Sequence, residues 1–188
     1  MRFTVYTSSS DRVGQRYRDV ARRFGRAVAE RGDELVYGGT AVGVMGVLSE
    51  TVREAGGRVT GVIPQRMADR GIGDDACDEL VVTADMSGRK QQMIERADAF
   101  VALPGGFGTL EELFEVLTLK QLGYHAKPIV LLDVDGFWRP LLELFEHLYT
   151  GGFAARDYAR LYHVASDVDD LLAYVDSYDP GDLPVKWY

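Results

Sequence analysis

Short apolar, β-rich runs alternate along the chain with longer stretches whose apolar residues recur every three or four positions. The β-rich runs are Phe3 to Thr7, Glu34 to Tyr37, Arg58 to Ile63, Glu79 to Val82, Ala99 to Leu103, Pro128 to Leu132 and Leu161 to Val164. Two of them, Phe100-Val101-Ala102-Leu103 and Ile129-Val130-Leu131-Leu132, are apolar without a break. That is the pattern of strands buried on both faces of a parallel sheet. Between the runs, Val20, Phe24, Ala27 and Val28 recur at helical spacing up to Gly32. Leu110, Leu113, Phe114 and Leu117 do so up to Gly123, and Leu141, Leu142, Phe145 and Leu148 up to Gly151-Gly152. Glycine past the last periodic residue is a helix stop signal. Such alternation predicts an α/β fold: a single Rossmann-like domain over residues 1–188, with a doubly wound, largely parallel sheet and helices on both faces.

In an open sheet of this kind, ligands sit beyond the carboxyl ends of the strands, next to the point where the strand order reverses. Three loops after predicted strands therefore matter most. They are Ser8-Ser9-Ser10-Asp11, Gly38-Gly39-Thr40-Ala41-Val42-Gly43, and Pro104-Gly105-Gly106-Phe107-Gly108-Thr109. Glycine permits close backbone approach, and a loop that opens a helix aims free N–H groups and a positive dipole end at an anion. Two glycine-rich strand-to-helix loops thus point to a phosphate-bearing ligand, the alternative for each being a tight turn. No G-K-[ST] triplet is present for a Walker A loop. After Gly106-Phe107-Gly108 the third glycine of a dinucleotide fingerprint is missing, which weakens a dinucleotide-dependent oxidoreductase and favours a mononucleotide.

The helix after the third loop carries Glu111, Glu112 and Glu115, with Glu112 and Glu115 three apart on one face. Thr109-Leu110-Glu111-Glu112 also fits a T-x-x-E capping box, so spacing leaves Glu112 open between a cap and a catalytic carboxylate. A carboxylate beside a bound phosphate calls for a cation. Arg89 and Lys90 stand near the start of a helix, where cations oppose the dipole unless an anion is present; the alternative is a solvated surface pair.

Composition narrows the field. The net charge of −8 over 188 residues excludes nucleic acid as a bulk partner, and the cluster of Arg12, Arg16, Arg18, Arg22, Arg23 and Arg26 reads as a solvated helix face. No apolar run is long enough to span a membrane and the first residues read as a strand, so a cytoplasmic protein is expected. A single cysteine, Cys77, excludes an intrachain disulfide, and His125, His147 and His163 show no metal-ligand spacing. No metal or cofactor is expected. Trp138 and Trp187 read as packing residues.

The run from Arg89-Lys90 through Ala97-Asp98-Ala99-Phe100 to Leu103-Pro104-Gly105-Gly106-Phe107-Gly108-Thr109-Leu110-Glu111-Glu112 closely resembles the LONELY GUY (LOG) family of cytokinin-activating phosphoribohydrolases. That family is marked by R-K and, downstream, P-G-G-x-G-T-x-x-E. Val36-Tyr37-Gly38-Gly39, Val42-Gly43-Val44-Met45-Gly46 and Gly61-Val62-Ile63-Pro64 look like the same family, so the likeness covers nearly the whole chain. Members are often labelled lysine decarboxylase, yet nothing in the chain suggests a pyridoxal phosphate site. The resemblance implies hydrolysis of N6-substituted adenosine monophosphates, and of AMP, to free base and ribose 5-phosphate. By position it implies that Arg89 and Glu112 are catalytic, and that Gly105, Gly106, Gly108 and Thr109 hold the phosphate. It further implies that Ser8, Gly39 and Thr40 line the same pocket, with Lys90 at the substrate and Met86 near the base. It also implies a homodimer, with the helix of Leu113, Phe114 and Leu117 facing the partner. A non-catalytic nucleotide carrier of the same fold is the rival reading. The chain departs from the family at Ser87-Gly88, where a histidine and an acid are frequent, and at Leu119-Lys120, where Trp-Ala is frequent. These departures bear on which base is preferred.

Overall fold

The structure, a computed structural model, describes residues 1–184 and 186. Trp187, expected to pack, lies outside the described residues. Seven strands form one sheet: β1 (Arg2–Tyr6), β2 (Glu34–Tyr37), β3 (Arg58–Pro64), β4 (Glu79–Thr83), β5 (Ala99–Ala102), β6 (Ile129–Leu132) and β7 (His163–Ala165). Their order is β4-β3-β2-β1-β5-β6-β7, and every pairing is parallel. The helices are α1 (Gln15–Glu30), α2 (Gly43–Glu54), α3 (Gln65–Ala68), α4 (Met86–Arg96), α5 (Phe107–Gln121), α6 (Arg139–Thr150) and α7 (Val168–Asp176). A 3-10 turn spans Arg156–Leu161. The doubly wound parallel sheet expected from the sequence is therefore present.

Strand residues alternate between two cores, as their period of two requires. Phe3, Val5, Leu35, Tyr37, Val101, Val130 and Leu132 face Phe24, Val28, Leu48, Val52 and Leu171 of α1, α2 and α7. Val36, Phe100, Ala102, Ile129 and Leu131 face Met93, Leu113, Val116 and Phe145 of α4, α5 and α6. Both faces are buried, which is why β5 and β6 read as unbroken apolar runs.

At the last strand the structure differs from the sequence reading. Leu161 closes the 3-10 turn and fills the second core, while the sheet pairing runs through His163, Val164 and Ala165 against β6. The short helix α7 carried no sequence expectation; Asp167 caps it by accepting the Asp170 N–H. Winding reverses between β1 and β5, whose neighbours lead away in opposite directions. Their carboxyl ends are tied together by Leu103 N–H to the Tyr6 carbonyl at 3.0 Å and by the Thr7 hydroxyl to the Pro104 carbonyl at 3.3 Å. The switch point thus opens a crevice between the Ser8 loop and the Pro104 loop.

Candidate active site

That crevice is a cleft lined by Thr7, Ser8, Ser9, Ser10, Met45, Arg89, Gly106, Phe107, Gly108, Thr109 and Glu112. Two helix N-termini approach it, and they differ in what their amides do. At α2 the Gly43 N–H donates to the Asp11 carboxylate at 3.1 Å, and the Val44 and Met45 N–H groups donate to the Ser8 carbonyl at 2.9 and 3.2 Å. The chain itself satisfies this terminus, so the Gly38–Gly43 loop is not an open phosphate cradle.

The N-terminus of α5 is the opposite case. Its N-cap, Gly106, has no side chain to offer, and the Leu110 N–H closes the first turn on the Gly106 carbonyl. Among the described residues, no protein acceptor takes the N–H groups of Phe107, Gly108 or Thr109. A Cβ on Gly106 or Gly108 would meet nothing within 4 Å, so both leave the mouth of the helix open. One on Gly105 would lie 2.0 Å from the Thr109 hydroxyl; that glycine is there so the loop can press onto Thr109. Three free amides at a positive helix end form an anion site.

The capping-box reading of Glu112 fails here, because the cap falls at Gly106 and Thr109 already lies inside the helix. Instead the Glu112 carboxylate receives Nη1 of Arg89 from α4 in a buried ion pair, the two residues being 3 % and 5 % exposed. Arg89 reaches it because the Asp85 carboxylate caps α4 through the Gly88 N–H at 2.8 Å, and because Nε anchors on the Val62 carbonyl of β3 at 3.2 Å. Burial lifts the Glu112 carboxyl above its ordinary value; the Arg89 guanidinium pulls the other way without cancelling it.

The remaining expected residues surround this pair. Ser8 lines the cleft. Lys90 turns away and joins Glu111 and, at 3.2 Å, Glu115, so Glu115 shares its partner with Glu111 rather than with Glu112. Gly39, at φ +71°, packs on the Val62 backbone, and the buried Thr40 donates to the Met45 thioether. Both sit behind the cleft wall rather than in its lining. Met86 opens α4, nearly half exposed, and is outside the lining as well. Ser9, Ser10 and Phe107, from the two loops marked in the sequence, line the cleft too, and so do Thr7 and Met45, to which the sequence assigned no role at the site. Phe107 carried a readable signal, a large apolar residue between two glycines of a loop; it is 93 % exposed.

Residues set aside from chemistry have ordinary partners. His125 bonds through Nε2 to the Val116 carbonyl and through Nδ1 to the Lys127 N–H, and burial lowers it to about 4. His163 pairs with Asp170. Most of the arginine cluster is neutralised: Arg16 on Asp135, Arg18 on Asp11, Arg22 on Asp19 and Arg23 on Asp169. Among the described residues no group of three or more His, Cys, Asp or Glu is placed to hold a metal ion.

A family model described as "Possible lysine decarboxylase" matches residues 45–175. The cytokinin riboside 5′-monophosphate phosphoribohydrolase LOG of Oryza sativa subsp. japonica is 41 % identical over 95 % of this chain and 74 % of its own. LOG7 of Arabidopsis thaliana, of the same name, is 41 % identical over 95 % of this chain and 82 % of its own. Among solved structures, the molybdenum cofactor carrier protein of Chlamydomonas reinhardtii is 28 % identical with a TM-score of 0.71, covering 93 % of this chain and 95 % of that one. By sequence over almost its whole length, the chain belongs to the LONELY GUY family.

Proposed function

We propose that this chain is a single-domain phosphoribohydrolase that cleaves the N-glycosidic bond of adenosine 5′-monophosphates, N6-substituted ones and AMP among them. The observation that carries the reading is the buried Arg89–Glu112 pair one helical turn from the three open amides of α5. The amides of Phe107, Gly108 and Thr109 take the 5′-phosphate, with Ser8 on the opposite wall. Glu112 then faces the ribose, where cleavage develops positive charge at the anomeric carbon. Its carboxylate stabilises that charge and takes a proton from the attacking water as the new C–O bond forms. The departing base keeps the electron pair of the broken C–N bond. A carboxyl lifted by burial is the better proton acceptor at neutral pH. Arg89 keeps Glu112 charged and oriented, and offsets the negative charge that phosphate and carboxylate bring together. Phosphate binding, remote from the reacting bond, provides the orientation.

The relatives' names, cytokinin riboside 5′-monophosphate phosphoribohydrolase, support this substrate class. A homodimer belongs to the same reading. Leu113 and Leu117 are core residues, so the partner would meet the exposed apolar residues of α5, Phe107 and Phe114. The single cysteine suits the reducing cytoplasm, and no helix among the described residues is long and apolar enough to cross a membrane. The likeness to a molybdenum cofactor carrier keeps one rival, a non-catalytic carrier of a phosphorylated ligand. Release of free base from AMP separates the two: a carrier binds and releases none.

A further inference from the structure

The β2–α2 loop, glycine-rich yet closed to phosphate, still touches the reaction centre at one residue. Gly38 follows β2 directly, and a Cβ built there would lie 2.3 Å from Nη2 of Arg89, with the Met45 thioether at 3.0 Å. Its φ is outside the left-handed region, so the backbone does not require glycine; the lack of space does. Gly39 is the contrast, held at φ +71°. A Gly-to-Ala change at a backbone-compatible position ordinarily stabilises, by restricting the unfolded chain. A loss at residue 38 would therefore report contact.

The contact falls on a guanidinium already fixed at two of its nitrogens. Nε is held by the Val62 carbonyl and Nη1 by Glu112, and no hydrogen bond occupies Nη2 among the described residues. A Cβ at residue 38 cannot be avoided by a simple swing of a free side-chain end, because both anchors would have to yield. Met45, which lines the cleft, closes the same slot from α2, its thioether held by the Thr40 hydroxyl at 3.4 Å.

We propose that Gly38 is a positioning residue: the space left by its missing Cβ seats the unoccupied Nη2 of Arg89, and so sets the guanidinium against Glu112 and the cleft. This rests on the hydrolase reading for its catalytic consequence, but not for the contact itself. The second glycine-rich loop then serves the site through Arg89 and not by holding phosphate.

The test is a cycle of Gly38→Ala, Arg89→Lys and the double variant, followed by AMP hydrolysis and thermal melting. Lysine keeps the charge at residue 89 but has no Nη2 to collide. Gly38→Ala alone should lower kcat about tenfold to a hundredfold, the scale of a misplaced catalytic group. In the Arg89→Lys background it should cost no more than about twofold, and its effect on melting temperature should likewise shrink to the part due to Met45. Strong coupling of this kind marks direct contact; distant sites add. Equal, additive losses in both backgrounds would overturn the proposal. Should wild-type protein release no base, the hydrolase reading fails, and the melting cycle alone then decides the seat. If Arg89→Lys does not fold, Arg89→Met/Glu112→Leu provides the second background for melting, with the same two outcomes.

Discussion

Arg89→Met isolates the energetics of the central pair. It leaves the Glu112 carboxylate in place, buried, with its cation gone and the Val62 carbonyl without the Nε donor. Removing one partner of a buried ion pair costs about 3–5 kcal/mol, because the remaining charge is neither hydrated nor paired. Both residues are almost fully buried, so the full range applies at pH 8. Glu112 can limit the loss by taking up a proton. Its pKa is already raised by burial, and losing Arg89, which lowers it, raises it further. A carboxyl whose folded pKa lies above the unfolded value gives stability that is present below the unfolded pKa and lost as pH rises through the folded one. The variant should therefore be far closer to wild type at pH 5 than at pH 8. At about 2–4 °C per kcal/mol for a chain of this size, the melting temperature should fall by roughly 6–20 °C at pH 8 and by less than about half of that at pH 5. Adding Glu112→Leu should recover most of the loss at pH 8, since apolar replacement of a whole buried pair is close to neutral. Thermal melting by circular dichroism at both pH values measures all of this. A drop of under about 2 °C at pH 8, or an equal drop at both pH values, would refute a desolvated Arg89–Glu112 pair.

Lys120 is fully buried, bonds through Nζ to the Leu161 carbonyl at 2.9 Å, and is lowered by burial to about 8. Since its unfolded pKa is about 10.4, the folded chain holds the proton less tightly, and stability is lost as pH falls through that window. Lys120→Met should match or exceed wild type in urea midpoint at pH 7, and its advantage should shrink towards pH 10; a constant gap would contradict this. Phe114→Glu places a charge on the exposed apolar face of α5 and should convert a dimer to monomer in sedimentation, whereas an unchanged dimer would move the interface elsewhere.

The sequence displayed the sheet because both of its faces are buried. Val101 and Val130 point to one core and Phe100 and Ile129 to the other, so no polar position interrupts those strands. Leu161 misled because its apolar character serves packing at the end of a 3-10 turn, which periodicity cannot distinguish from pairing. The helix α7, about two and a half turns capped by Asp167 and opening on acidic Asp169 and Asp170, is too short to display a helical period in the sequence. At the site, residue types were legible and partners were not. The motif T-x-x-E fits a cap and a catalytic carboxylate equally; what decides is that the helix begins at Gly106 and that Arg89 arrives from another helix. Gly38 was legible as a glycine of a phosphate loop or of a tight turn, and neither is its reason, which is a guanidinium brought from α4 by the fold.

Incubation of the purified protein with AMP and with isopentenyladenosine monophosphate, beside Glu112→Gln, tests hydrolysis at Glu112 most directly. Chromatography should show free base and ribose 5-phosphate from wild type. The variant, folded and still binding AMP, should be slower by on the order of a hundredfold to ten-thousandfold, as expected for loss of a general base. Wild-type rates in Glu112→Gln, or nucleotide binding with no base released by either protein, would contradict it.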